Sequence, residues 1–129
     1  VDGFEDFYKK YVTSANRKTA LVTNTSIDIV EEVRSAINIS EYFAHIITST
    51  DVSEPKPSAI PYSVAMRALS VKPNECIIIE DSNSGLLSGV RSGTQVFGIE
   101  TTLSTAQIHA ISPKIIVVKN YKELSEYLD

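Results

Sequence analysis

Apolar and polar positions along the chain switch between two periods. In GFEDFYKKYV, Phe4, Phe7, Tyr8 and Tyr11 recur at helical spacing and predict an amphipathic helix. TALVTN (19–24) is a short, largely β-branched run and predicts a strand. Ser26 stands where it can cap the next helix, whose apolar face would be Ile29, Val30, Val33 and Ile37. AHIITST (44–50) predicts a second strand, and SEPKP (53–57) a loop with two prolines. Pro61 suits the first turn of a helix running to about Leu69. CIIIE (76–80) is the third and most apolar strand. A short helix from Ser84 to Ser92 follows, with Gly93 at its C-terminal turn. QVFGI (95–99) and IIVV (115–118) read as the fourth and fifth strands, and NYKELSEYL as a closing helix capped by Asn120.

Strands alternating with helices predict an α/β fold of three layers: a Rossmann-like, mostly parallel sheet with helices on both faces. CIIIE is apolar at successive positions, as a strand buried on both faces should be. In such sheets ligands sit beyond the C-terminal ends of the strands. The residues there are Thr23-Asn24-Thr25, Ser49-Thr50, Glu80-Asp81 and Glu100-Thr101.

Composition narrows the field. The 129 residues are ordinary in apolar content (43%) and charge (22%), and the length predicts a single domain over 1–129. The net charge of −4, with acids and bases scattered, gives no basic stripe for a nucleic acid. Apolar runs are too short to span a membrane, and no secretory leader is visible at the N-terminus. A single cysteine, Cys76, excludes an internal disulfide and fits a reducing, cytoplasmic setting. Its place at the start of an apolar strand predicts buried filler rather than a reactive thiol.

Glu80 and Asp81 are two like charges side by side where a buried strand ends. A bound divalent cation such as Mg²⁺, which favours carboxylate, phosphate and water oxygens, would explain them. Ser82, Asn83 and Ser84 add side-chain oxygens, and Gly85 allows a tight entry to the next helix. The alternative is a helix N-terminus, where acids and serines are favoured anyway. Thr23, with the backbone N–H groups of Asn24 and Thr25, suits a phosphate oxygen, or simply ends a strand. Lys56, between two prolines, either neutralises phosphate or is a solvated surface lysine. His45 reads as structural and His109, in a polar helical stretch, as solvated. Two histidines and one cysteine build no zinc site, and GxGxxG, GxxxxGK[ST] and GxSxG are all absent. The regularly spaced tyrosines and phenylalanines read as core.

The order of the motifs ALVTNTS, EPKPSAIPY and IIIEDSNSGLLSGVRSG resembles the haloacid dehalogenase superfamily, in its β-phosphoglucomutase and phosphatase-like branch. Thr23 matches the Thr or Ser ending the second motif's strand, and Lys56-Pro57 with Pro61-Tyr62 matches the third motif. Glu80 to Gly85 matches the fourth. VDGFEDFYKKY resembles the segment returning from the cap. The resemblance implies a Mg²⁺-dependent hydrolase of a small phosphorylated metabolite, working through an aspartyl-phosphate. Asp81 and Glu80 would hold the metal, Thr23 and Asn24 the phosphate, and Lys56 would offset the gathering negative charge. The Glu-Asp pair points to phosphate esters rather than carbon–halogen bonds. Alternatives are a phosphomutase with the same residues, or a catalytically inactive domain that binds a ligand or partner. A receiver-like domain would carry its acidic pair after the first strand.

One departure matters. The family's Asp-x-Asp, carrying nucleophile and acid/base, is absent: no two of Asp2, Asp6, Asp28, Asp51, Asp81 and Asp129 stand two apart. The resemblance therefore implies a core domain incomplete at its N-terminal side, with that strand and the cap preceding Val1. The strand would lie between those of Thr23 and Glu80. Without it the two must pair directly, leave a gap, or receive a strand from another chain or segment. A chain with such open edges is expected to be unstable or aggregation-prone by itself.

Overall fold

The computed structural model describes residues 3–25, 27–36 and 41–129. Five short strands alternate with six helices in the described chain: α1 (Phe4–Tyr8), β1 (Ala20–Val22), α2 (Ile27–Ala36), β2 (His45–Ile47), α3 (Ile60–Leu69), β3 (Ile77–Glu80), α4 (Asn83–Arg91), β4 (Gln95–Ile99), α5 (Thr105–Ile111), β5 (Ile116–Val118) and α6 (Tyr121–Leu128). Helix α1 continues into a wider helical turn over Lys9–Thr13, and 3-10 turns cover Ser49–Asp51 and Pro73–Glu75. The predicted Ser26 cap and the Ile37 end of the α2 face lie outside the described residues, as do the side chains of Ile29 and Val33. Val30 is buried.

Local chemistry sets the boundaries. The Ser82 hydroxyl accepts from the Gly85 N–H at 3.1 Å and opens α4, while Asn120 Oδ1 accepts from the Glu123 N–H at 2.8 Å and opens α6. Helix α4 ends at Ser92, and Gly93 turns away with φ +82°. Ser104 and Gln107 form a reciprocal capping box that starts α5. Two strands are shorter than their patterns. β1 stops at Val22 because Thr23 turns its hydroxyl to the Thr25 N–H, 3.1 Å away. β2 stops at Ile47 because Thr48 caps a 3-10 turn closed by Asp51.

All pairing is parallel, as expected, but it forms two ladders rather than one sheet. β2 pairs with β1, and β3 with β4 and then β5. No ladder joins β1 to β3 among the described residues. β1 and β3 thus do not pair directly, and a gap separates them. Two helices straddle it. On one face α3 packs on β1 and β2, while its Tyr62 and Met66 join Ile78, Leu86, Val96, Ile108 and Ile115 in a core cluster. On the other, the Phe4 ring lies 5.5 Å from Tyr42, just before β2, and 5.5 Å from Tyr121 of α6. That face carries a second cluster of Phe7, Tyr11, Phe97, Ile99, Val118 and Leu124.

β4 is the strand buried on both faces. Val96 enters the first cluster, and Phe97 and Ile99 the second. Gly98 keeps the first face open: a Cβ there would lie 3.1–3.2 Å from Ile115, Ile108 and Leu86. β3 departs from expectation. Ile78 is buried, but Ile77 is 40% exposed and Cys76 only half-buried, because no strand among the described residues pairs with β3 across the gap. Burial still raises the Cys76 thiol pKa. His45 begins its strand exposed rather than as a core residue.

A clip joins the first and last described helices. The Asp129 carboxylate accepts from the Tyr11 hydroxyl and from Lys10 Nζ, 2.9 Å away. The Tyr11 bond, then the Lys10 bond, holds the Asp129 pKa below its ordinary value. A carboxyl depressed in the folded state contributes stability above its unfolded pKa and loses it as pH falls through the folded one. Wild type should therefore melt above Asp129→Asn near neutral pH. The two Tm values should converge as pH drops below 3.8, measured by thermal scans across pH.

Candidate active site

The strand ends on either side of the gap carry the predicted residues. The Thr23 N–H donates to Ile47 O at 2.9 Å, so it points toward β2. Across that trans peptide the Val22 carbonyl points the other way, into the gap. Lys56 Nζ meets it there at 2.8 Å and also lies 2.5 Å from Glu80 Oε1. The lysine thus ties the C-terminal end of β1 to that of β3. Its side chain is 7% exposed and that of Glu80 11%. Lys56 is therefore a sequestered ion-pair partner rather than a surface lysine.

Asn24 aims the loop that delivers Lys56. Its Oδ1 accepts from the Lys56 N–H at 3.0 Å, and its Nδ2 donates to Lys56 O at 3.4 Å. The Asn24 side chain is thereby committed to positioning, while its backbone N–H, the group expected to meet phosphate, takes no part in these bonds. The Thr25 N–H, another expected phosphate donor, is engaged by Thr23 Oγ1.

Strand alternation separates the two neighbouring carboxylates. Glu80 lies on the same face as Ile78, toward α3 and α4, whereas Asp81 follows Ile79 toward α6. Glu80 Oε1 also accepts from the Tyr62 hydroxyl at 2.5 Å, and Oε2 from Ser82 at 3.3 Å. The cation beside Glu80 is therefore Lys56 itself. Burial, and then the charge of Glu80, pushes the Tyr62 hydroxyl pKa far up and keeps it protonated as a donor. Asp81 is exposed, and its Oδ2 accepts from Thr101 Oγ1 at 3.2 Å. It lines a cavity of about 170 Å³ with Ile79, Glu80, Ile99 and Tyr121. Burial first, and then the Asp81 charge, raises the pKa of Tyr121. A larger open cleft of about 520 Å³ runs along loop 54–59 to Arg91; neither Glu80 nor Asp81 lines it.

These positions bear on a metal. Asp81 offers a hard carboxylate oxygen at an open strand end, which suits Mg²⁺. Glu80 fits less well as a direct ligand, since an ammonium lies 2.5 Å from one oxygen and Ser82 holds the other. Among the described residues no group of three His, Cys, Asp or Glu side chains could hold an ion. Ser82 serves as the helix cap, the alternative considered for that serine.

Tyr121 and the Val22 carbonyl have no signal in the sequence as site groups, while Thr101 is marked there only as a strand-end position and Tyr62 only as part of the third motif. Tyr62 looked like core, and its ring is core, being 8% exposed; only its hydroxyl belongs to the site.

A family model described as haloacid dehalogenase-like hydrolase matches residues 6–99. The chain belongs to this family. Among similar haloacid dehalogenase-like proteins is a validoxylamine A 7'-phosphate phosphatase of Streptomyces hygroscopicus subsp. limoneus. It is 34% identical over 82 residues, which is 64% of this chain and 38% of the relative. A pyrophosphatase PpaX of Bacillus velezensis is 28% identical over 81% of this chain and 49% of its own length. The chain thus spans less than half the length of these two curated relatives. A solved putative β-phosphoglucomutase from Thermotoga maritima shares the fold with a TM-score of 0.84 at 22% identity, over 99% of this chain and 59% of its own.

Gly85 leaves the space that Glu80 fills: an added Cβ would lie 1.9 Å from Oε2. Gly85→Ala should push the carboxylate off Lys56 and lower stability by about 1–3 kcal/mol, read by urea denaturation. Unchanged stability would mean that the carboxylate has another place to go.

Proposed function

We propose that the chain forms the phosphate-handling core of a Mg²⁺-dependent phosphatase acting on a small phosphorylated metabolite. The observation that carries this reading is Lys56, fixed between the end of β1, beside Thr23, and the end of β3, beside Asp81. Membership of a hydrolase family and the phosphatase names of the relatives support it.

In this reading the attacking carboxylate comes from an Asp-x-Asp strand outside residues 1–129, seated in the gap between β1 and β3. An aspartyl-phosphate would form and then be hydrolysed. Thr23 and the turn after it receive the phosphate oxygens, and Asn24 steadies the turn against the Lys56 backbone. The Lys56 ammonium offsets charge as nucleophile and phosphate approach. Asp81 is the residue here that would hold Mg²⁺, with Glu80 behind it anchoring Lys56. When bound, the metal supplies Lewis-acid stabilisation of the phosphoryl oxygens. A phosphomutase would use the same residues, and the solved β-phosphoglucomutase-like neighbour favours keeping that second reading.

The test is release of inorganic phosphate from a panel of phosphate esters by the natural protein, with and without Mg²⁺. Activity should need the metal, and Asp81→Asn should lower turnover by about 100-fold or more. Unchanged activity at saturating Mg²⁺ would remove Asp81 from the site. Phosphate moved within a sugar rather than released would select the mutase.

The strand-filled gap has its own test. Residues 1–129 produced alone should elute in size-exclusion chromatography as aggregates, because two strand edges stay open. A well-folded monomer with cooperative unfolding would overturn the strand assignment.

A further inference from the structure

The Glu80 carboxylate is enclosed on every side that the described contacts reach. Lys56 Nζ and the Tyr62 hydroxyl each lie 2.5 Å from Oε1, and Ser82 Oγ lies 3.3 Å from Oε2. Gly85 forms the opposite wall, with no room there even for a methyl group. Tyr62 also meets the lysine directly, its ring centroid 5.2 Å from Nζ. A single buried side chain therefore touches both members of the ion pair, one through its hydroxyl and the other through its ring.

Two physical effects follow. The Val22 carbonyl holds Lys56 Nζ from one side and Ser82 reaches Glu80 only at 3.3 Å, so the short second bond on Oε1 is what sets the direction of the carboxylate that holds the lysine from the other side. An ammonium paired to an unshared carboxylate is also a weak partner for phosphate, because its charge is already cancelled. A neutral hydroxyl drawing on that oxygen leaves part of the lysine's charge to act elsewhere.

We infer that Tyr62 is a positioning residue, whose hydroxyl fixes Glu80 so that Lys56 presents its ammonium to phosphate at the ends of β1 and β3. The inference rests on the phosphate-handling reading above for its consequence, but not for its geometry. Tyr62→Phe keeps the ring and removes the hydroxyl, so it separates the two.

The first measurement is the rate at which an acylating reagent labels each lysine of the natural protein, read by peptide mass mapping. Lys18 is the internal control, since its Nζ donates to Leu69 O at the far end of α3. Tyr62→Phe should raise Lys56 labelling about tenfold, the size expected for losing a hydrogen bond to a charged group, and leave Lys18 unchanged. Equal rises at both lysines would mean that α3 has merely loosened, and no rise at Lys56 would mean that the hydroxyl holds nothing; either overturns the inference. The second measurement is calorimetric titration with inorganic phosphate. Tyr62→Phe should weaken binding by about tenfold. If phosphate binds both proteins equally, Tyr62 does not tune Lys56 for phosphate, and the inference fails. If wild type binds no phosphate, the functional reading fails, while the labelling still decides whether Tyr62 positions Lys56.

Discussion

The ammonium of Lys56 and the carboxylate of Glu80 meet almost out of water, at the ends of two strands that do not pair with each other. Two charges brought there are tolerated only if each finds the other and the remaining lone pairs and protons find partners. The chain meets that condition in detail. Lys56 has the Val22 carbonyl as well as Glu80, and Glu80 has Tyr62 and Ser82. Leaving either charge alone would cost about 3–5 kcal/mol. Loop 54–57, the turn after β1, the start of α3 and the start of α4 all converge on this pair.

The adjacent carboxylates then cease to be a puzzle of repulsion. A strand sends successive side chains to opposite faces, so neighbours in sequence become residents of different environments. Glu80 is enclosed among donors on the α3 and α4 side, whereas Asp81 stays at the rim near Thr101 and Tyr121. The dipeptide gives the site a fixed structural anchor and an accessible carboxylate within one residue of each other.

Much of this was legible in the chain. Unbroken apolar runs marked β3 and β4, and Asn120 and Gly93 marked where helices begin or end, whereas the helix expected from Ser84 starts at Asn83 behind a Ser82 cap. What was not legible depends on neighbours distant in sequence. The exposure of Ile77 follows from an absent strand partner, not from anything in CIIIE. α5 appeared only as a polar stretch around His109, although Ser104 and Gln107 carry a capping signature and Ile108 is wholly buried. Tyr62 sits at helical spacing like any core aromatic, and nothing local reveals that its hydroxyl ends on a carboxylate 18 residues away. For Asn24 only the backbone N–H could be assigned from sequence; the side chain's partner is a backbone 32 residues on.

The Asn24 side chain grips the Lys56 backbone with a donor and an acceptor at once. A primary amide offers the two on separate atoms of one short stem, an acceptor oxygen beside a donor nitrogen. Conversion of that amide to an acid, by mutation or by slow spontaneous hydrolysis, would keep the acceptor for the Lys56 N–H and set a negative oxygen against the Lys56 carbonyl. The damage would appear not at residue 24 but in the aim of a lysine belonging to another loop. The site thus carries a chemical clock in a residue that performs no chemistry.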